Sequence, residues 1–211
     1  MEGLWAIVMA IPYTLLVTAG AFLVGFVVAI PLALARRSRL VALRGLAGLL
    51  IDLARGIPPI VWLLFIFFGL PLLKIKMNPL EAGILGLGVV SAGYLAEIFR
   101  GGLLAVPRGQ FEACSALGLG PLTSFFEVIS PQALRAMLPG LATYFIGLIK
   151  DSSIASVIGV TEMVYTATTY ARNSADGIYT FFAAAAVYIV LSVPFGLLSR
   201  RLEARMQVSA R

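Results

Sequence analysis

Long uncharged runs, separated by arginine clusters and one extended polar segment, set the pattern of this chain. Residues 4–35 carry no charge, and a second run, about 46–73, is interrupted only by Asp52 and Arg55 near its start. Further apolar runs cover about 82–104, 136–158 and 178–199. A helix needs roughly 20 apolar residues to cross the hydrocarbon core of a bilayer, and such helices tolerate internal Pro and Gly. The pattern therefore predicts five membrane-spanning helices. The first run is longer than one span needs, so its opening part is expected to lie along the surface or tilt, with the break at Pro12. Gly, Pro and Ala recur in the runs, which suits close helix packing in lipid, where apolar burial alone does not drive association.

Composition agrees: of 211 residues 60% are hydrophobic and 12% charged. With no separate polar region, residues 1–211 read as one all-α membrane domain. Orientation follows from the basic residues, which are retained on the cytoplasmic side. Arg36, Arg37, Arg39 and Arg44 follow the first span; Arg100, Arg108 and Arg135 bracket the polar segment after the third; Arg200, Arg201, Arg205 and Arg211 follow the fifth. Only Lys74, Lys76 and Arg172 fall on the alternate side. The amino terminus is expected outside, the carboxy terminus and the polar segment inside.

The net charge of +6 is the remainder of this asymmetry and points to no nucleic acid partner. Glu2 and the lack of an early basic cluster argue against a cleaved signal peptide. The single cysteine, Cys114, cannot form an internal disulfide. With no histidine, His-dependent triads and common Cys/His metal sites are excluded. There is no Gly-x-x-x-x-Gly-Lys-Ser/Thr loop for ATP phosphates. Asp52, Glu81, Glu97, Glu112, Glu127, Asp151, Glu162 and Asp176 are scattered singly, without a pair spaced for acid/base work. An enzyme is not expected.

The polar segment from Gly109 to Arg135 carries the strongest local signal. Pro107 can start a helix, residues 110–117 favour one, and Gly118-Leu119-Gly120-Pro121 ends it. A second short segment, residues 122–129, is expected to close at Pro131. A small cytoplasmic helix with one carboxylate can enter a groove on another protein, Ala113 allowing close approach and Gly118 a sharp turn. The same segment can also be read as a membrane-hugging loop that only ties spans three and four together.

Glu112-Ala113-Cys114, three residues, Gly118, nine residues, then Val128-Ile129-Ser130-Pro131 resembles the cytoplasmic Glu-Ala-Ala loop of ATP-binding-cassette (ABC) importer permeases, here about residues 107–133. Cys114 stands where that pattern has a second Ala, and Ser130 where it has Leu. Arg55-Gly56-Ile57-Pro58, residues 94–102, Pro131-Gln132-Ala133-Leu134-Arg135, Lys150-Asp151-Ser152-Ser153 and Val157-Ile158-Gly159-Val160 resemble the polar amino-acid branch of the type I importers. The resemblance implies a multi-pass permease of the bacterial inner membrane, with residues 112–118 as a coupling helix in which Glu112, Ala113 and Gly118 dock a separate ATPase. It also implies a second permease chain, identical or sister, and an extracytoplasmic substrate-binding protein meeting the outer loops at about 73–80 and 159–177. No cofactor is expected on this chain; ATP and Mg would be held by the partner ATPase.

Lys150-Asp151-Ser152-Ser153 is the second informative site. About 14 residues at roughly 1.5 Å each separate Ala136 from Lys150, about two thirds of the way across. Charges at that depth usually line a cavity. Lys150 and Asp151 point about 100 degrees apart on a regular helix, so a local break followed by the two serine hydroxyls is expected to present both charges to an amino acid. The competing reading is a salt bridge to a neighbouring span, or a snorkelling Lys150. Glu162 is a further candidate for a cationic side chain, or an outer-surface residue facing the delivery protein. Arg55, beside the Ile57-Pro58-Pro59 break, either lines the pathway or anchors at the inner interface. Glu97 and Arg100 are expected to form an intrahelical ion pair. Phe65, Phe67, Phe68, Phe181 and Phe182 read as lipid- or helix-facing. The reading from another class is an ion-coupled secondary transporter, with Lys150, Asp151 and Glu97 as coupling groups.

Overall fold

The computed structural model describes residues 2–173 and 177–208, so Asp176 and Arg211 lie outside the described residues. Helices α1 (Glu2–Met9) and α2 (Ile11–Arg36) are separated at Ala10, with Pro12 in the first turn of α2. A proline there sacrifices no helical hydrogen bond, so the expected break appears as a helix start. Helix α3 (Val41–Gly56) and α4 (Pro59–Leu64) follow, and α4 continues through a π turn (Phe65–Gly69) and a 3-10 turn (Leu70–Leu73). The central helix α5 (Pro79–Ala105) leads to the short α6 (Arg108–Ala116) and the single turn α7 (Pro121–Thr123). Beyond a π turn at Ser124–Ile129 come α8 (Ser130–Asp151), a 3-10 segment (Ser152–Ile158), α9 (Met163–Asn173) and α10 (Gly177–Val208). No strand occurs among the described residues.

Four stretches are long and apolar enough to cross a bilayer: Glu2–Arg36, Pro79–Ala105, Pro121–Ile158 and Gly177–Arg201. Val41–Gly56 with Pro59–Leu73 makes the fifth when taken as one span, bent by 101° at its break. Sequence reasoning placed a disturbance at Pro58 and Pro59 but not a right-angled turn. Ile57 and Pro58 are both extended, with ψ of 130° and 138°, because a residue before proline is pushed out of the helical region.

Helix α5 is the hub, packed along α2 and also against α3, α4 and α8. Its most apolar window is 67% buried, against 6% for that of α10, so α10 is an outer wall. An Asn78/Glu81 capping box starts α5: the Glu81 N–H donates to Asn78 Oδ1 at 2.9 Å, and the Asn78 N–H to Glu81 Oε2 at 3.0 Å. The α2–α5 contact is close because Gly25 lies against Ser91 and Ala92, where an added Cβ would fall onto Ser91 Cβ and 2.9 Å from the Ala92 nitrogen. Gly25→Val should therefore wedge the two most closely packed helices apart. The expected result is a large loss of monodisperse protein on detergent size exclusion; a normal profile would show that α2 can shift along α5.

Two expectations are corrected. Pro131 does not close the segment at 122–129: the helix runs on into α8, with Pro131 in the first turn of α8. Proline removes the N–H that would reach back across the π turn, and the Ser130 hydroxyl donates to the Phe126 carbonyl instead, at 3.3 Å. The stretch 159–177, read as an outer loop, contains α9, whose Met163 N–H donates to Thr14 Oγ1 at 3.2 Å and whose Met163 and Ala167 are fully buried. A helix of 11 residues is too short to read as a span.

Candidate functional site

The loop between α5 and α8 presents α6 to its surroundings. Phe111, Glu112, Ala113, Ser115, Ala116 and Leu117 are exposed, and only Cys114 turns inward. Cys114 is 4% exposed, which explains why a small apolar side chain suits that position. A Schellman turn ends the helix: the Leu119 N–H donates to the Cys114 carbonyl at 3.0 Å and the Gly118 N–H to that of Ser115 at 3.1 Å. Gly118 has φ of +66°, a conformation that glycine adopts without strain. Gln132 Nε2 donates to Gln110 Oε1 at 3.0 Å and ties α6 to α8. Leu117, Leu122 and Phe126 extend the exposed surface, at 75%, 74% and 65% exposure. Glu112 makes no ion pair with a described residue.

Inside the spans, α8 passes at Asp151 directly into a 3-10 segment, so the helical run continues to Ile158 and the expected break appears only as a tightening of the turn. The serine hydroxyls serve the helix end: Ser152 Oγ donates to the Ile149 carbonyl and Ser153 Oγ to that of Lys150, each at 2.7 Å. Lys150 is exposed, Asp151 half-buried, and no ion pair joins them. Lys150 and Ser153 line a pocket of about 310 Å³ against Val164 of α9 and Phe181, Ala184 and Tyr188 of α10. Asp151 lies seven residues after Tyr144, two turns along the same face of α8, and acts on it electrostatically. The two charges therefore serve different sides of α8.

Glu162 is 0% exposed. It caps α9, accepting the N–H groups of Val164 (2.9 Å) and Tyr165 (2.7 Å), while the Tyr188 hydroxyl donates to Oε2 at 2.8 Å. An outer-surface contact to a delivery protein is thus not available to it. Burial pushes its carboxyl above the ordinary range, against the pull of these three donors. Glu162→Ala should remove the cap of α9 and one of the partners of the Tyr188 hydroxyl, which keeps Ser152 and Thr14, costing about 1–2 kcal/mol. A clear fall in detergent Tm, smaller for Glu162→Gln, is expected; an unchanged Tm would show the carboxylate to be dispensable for the fold.

Arg55 ends α3 with its guanidinium carbon 5.2 Å from the centre of the Tyr94 ring. Tyr94 stacks on Tyr144 at 5.4 Å and 23°, and the Tyr144 and Ser91 hydroxyls are hydrogen-bonded at 2.9 Å. The sequence singles out Arg55 but not the two tyrosines, which lie about four turns into α5 and about four turns into α8. Glu97 and Arg100 form the expected ion pair, closest at 2.6 Å. Phe65, Phe68, Phe181 and Phe182 are exposed on the apolar exterior, whereas Phe67 packs against the core. A crevice of about 1050 Å³ among α1, α9 and α10 is lined by Glu2, Tyr165, Thr169, Tyr170 and Tyr179, and none of the candidate pathway or docking residues lines it.

The sequence profile of the family described as binding-protein-dependent transport system inner membrane component matches residues 21–208. The probable amino-acid permease protein YxeN of Bacillus subtilis (strain 168) is 36% identical over 203 residues, 95% of this chain and 91% of the relative. The probable glutamine ABC transporter permease protein GlnP of the same organism is 36% identical over 173 residues, 81% of this chain and 79% of the relative. The crystal structure of an amino acid ABC transporter with histidines matches with a TM-score of 0.87 at 32% identity, over 95% of this chain and 94% of that one.

Proposed function

This chain belongs to the family of binding-protein-dependent transport system inner membrane components, and we propose that it is the permease subunit of an ABC importer that carries amino acids into the cytoplasm. It is a translocation subunit rather than an enzyme; ATP and Mg are bound and turned over by a separate ATPase. The amino terminus faces outward, and the loop bearing α6 faces the cytoplasm, as the arginine distribution requires. The observation that carries the reading is the exposed α6, fixed by a Schellman turn at Gly118 and tied to α8 by Gln132. A chain without a phosphate loop of its own needs such a handle. Glu112, Ala113 and Gly118 form the docking element, and ATPase closure moves α6 and, through it, the α5 and α8 spans.

Lys150, Asp151, Ser152, Ser153 and Arg55 belong to the substrate pathway, the two serines as helix-end caps that hold both charges in place. Glu162 takes part indirectly, by fixing Tyr188 at the wall of the Lys150 pocket. The working unit holds two permease chains, identical or sister, with an extracytoplasmic binding protein supplying the substrate. Mild-detergent purification of the tagged chain from its native host, followed by mass spectrometry, tests this assembly. Recovery of an ABC ATPase is expected; its absence from an intact, monodisperse preparation would reopen the ion-coupled alternative.

A further inference from the structure

Arg55 occupies an unusual position for a charge. Counted from Val41 it lies about 21 Å along α3, at roughly 1.5 Å per residue, next to the 101° bend that joins α3 to α4. It makes no hydrogen bond or ion pair with any described residue and lies over the Tyr94 ring. Glu97, one turn further along α5, feels the Arg55 charge but gives its hydrogen bonds to Arg100. The arrangement is built rather than incidental. Helices α3 and α5 cross at Gly93, where an added Cβ would meet both Ala54 Cβ and Arg55 Cγ at 2.9 Å. That close crossing lays the arginine stem over α5 and delivers the guanidinium to the next residue, Tyr94. Tyr144 stacks on Tyr94 and is itself held by Ser91.

We propose that Arg55, held on the Tyr94–Tyr144 stack, is a station for the carboxylate of the amino acid in transit, distinct from the Lys150/Asp151 site. This rests on the amino-acid import reading above. A guanidinium stacked on a ring keeps its N–H edge free, and that planar fork matches a carboxylate with two parallel hydrogen bonds. Arg55 is exposed and the nearby Glu97 carboxylate is already committed to Arg100, so the guanidinium edge is left to water or to a passing anion. Asp151 lies two turns, about 10.5 Å, beyond Tyr144 along α8. An α-amino acid carries its carboxylate and ammonium on one carbon and cannot span Arg55 and Asp151 together. The two are successive stations: the ammonium is held at Asp151 first, and the carboxylate at Arg55 after the substrate has moved inward. Tyr94 sets where the second station stands.

The test uses the native host with the chromosomal copy replaced by Arg55→Gln, Arg55→Lys, Tyr94→Phe or Tyr94→Leu. The probe is an isotope-labelled mixture of the twenty amino acids, read by mass spectrometry against a strain lacking the chain. Arg55→Gln and Tyr94→Leu should lower the maximal uptake rate about tenfold or more. The half-saturating concentration should stay unchanged, because capture by the binding protein precedes this step. Tyr94→Phe, which keeps the ring, should remain within about twofold of the original chain, and Arg55→Lys should fall between. Membrane abundance and recovered ATPase should be equal throughout, so a general folding defect would show itself. If Tyr94→Leu does not reach the membrane, the Gln and Lys replacements of Arg55 carry the comparison. Wild-type rates in Arg55→Gln, or a Tyr94→Phe chain as slow as the Leu variant, would overturn the station. If the original chain gives no labelled uptake above the deletion strain, the amino-acid reading itself fails, and the station with it.

Discussion

Cells carrying Glu112→Lys should hold normal amounts of the permease in the membrane and yet lose ATP-driven amino-acid uptake by more than tenfold. The two halves of that result have separate causes. Glu112 is exposed on α6 and pairs with no described residue, so exchanging it touches no internal contact, and surface changes of that kind usually alter stability by under about 0.5 kcal/mol. Docking is another matter. A charge placed against the wrong sign in a desolvated contact costs on the order of 2–5 kcal/mol, enough to separate the ATPase from the loop at cellular concentrations. Glu112→Gln should show a milder defect, since it removes the charge without opposing it. The measurement is initial uptake rate alongside ATPase recovered with the tagged permease. Normal uptake in the Lys variant would remove α6 from the coupling role.

The long apolar runs exposed the spans because lipid leaves backbone groups no partner except the helix itself. The helix end at Gly118 was equally legible, since a positive φ followed by Gly120-Pro121 has few other uses. The break expected after Lys150-Asp151 is only a change from α to 3-10 geometry, and the two charges stay on different sides of the helix. What remained hidden depends on neighbours distant in sequence. Helix α9 reads as loop in the sequence because its short amphipathic pattern says nothing of the groove formed by α1 and α10, which buries Met163 and Ala167. Asn78-Pro79-Leu80-Glu81 was a readable signal, a capping box with proline in the first turn, and would have moved the start of the third span outward to Pro79. Tyr94 and Tyr144 carried no local mark at all. Their stacking follows from the crossing of α3, α5 and α8, and from Gly93, whose missing side chain lets Arg55 through.

Asp151→Asn should abolish most transport while leaving the protein at least as stable as before, and the opposition of those signs makes it the sharper test of the pathway. Asp151 is half-buried within the helical run Pro121–Ile158, and holding a carboxylate there without a hydrogen-bond donor is unfavourable. It receives no side-chain hydrogen bond from a described residue and makes no ion pair that would offset this. A charge kept at such a place, half-buried within a span, is best accounted for by what passes it. Asparagine has nearly the same shape and keeps an acceptor, but it removes the attraction for an ammonium group. Uptake should fall at least tenfold, with ATPase recovery unchanged and Tm equal or slightly raised; Asp151→Glu, which restores the charge one carbon further out, should recover part of the rate. Because any loss would then appear in a chain no less stable, unfolding could not explain it. Retained uptake at normal half-saturation would instead make Asp151 a tolerated carboxylate and leave Lys150 and Arg55 as the charged residues of the route.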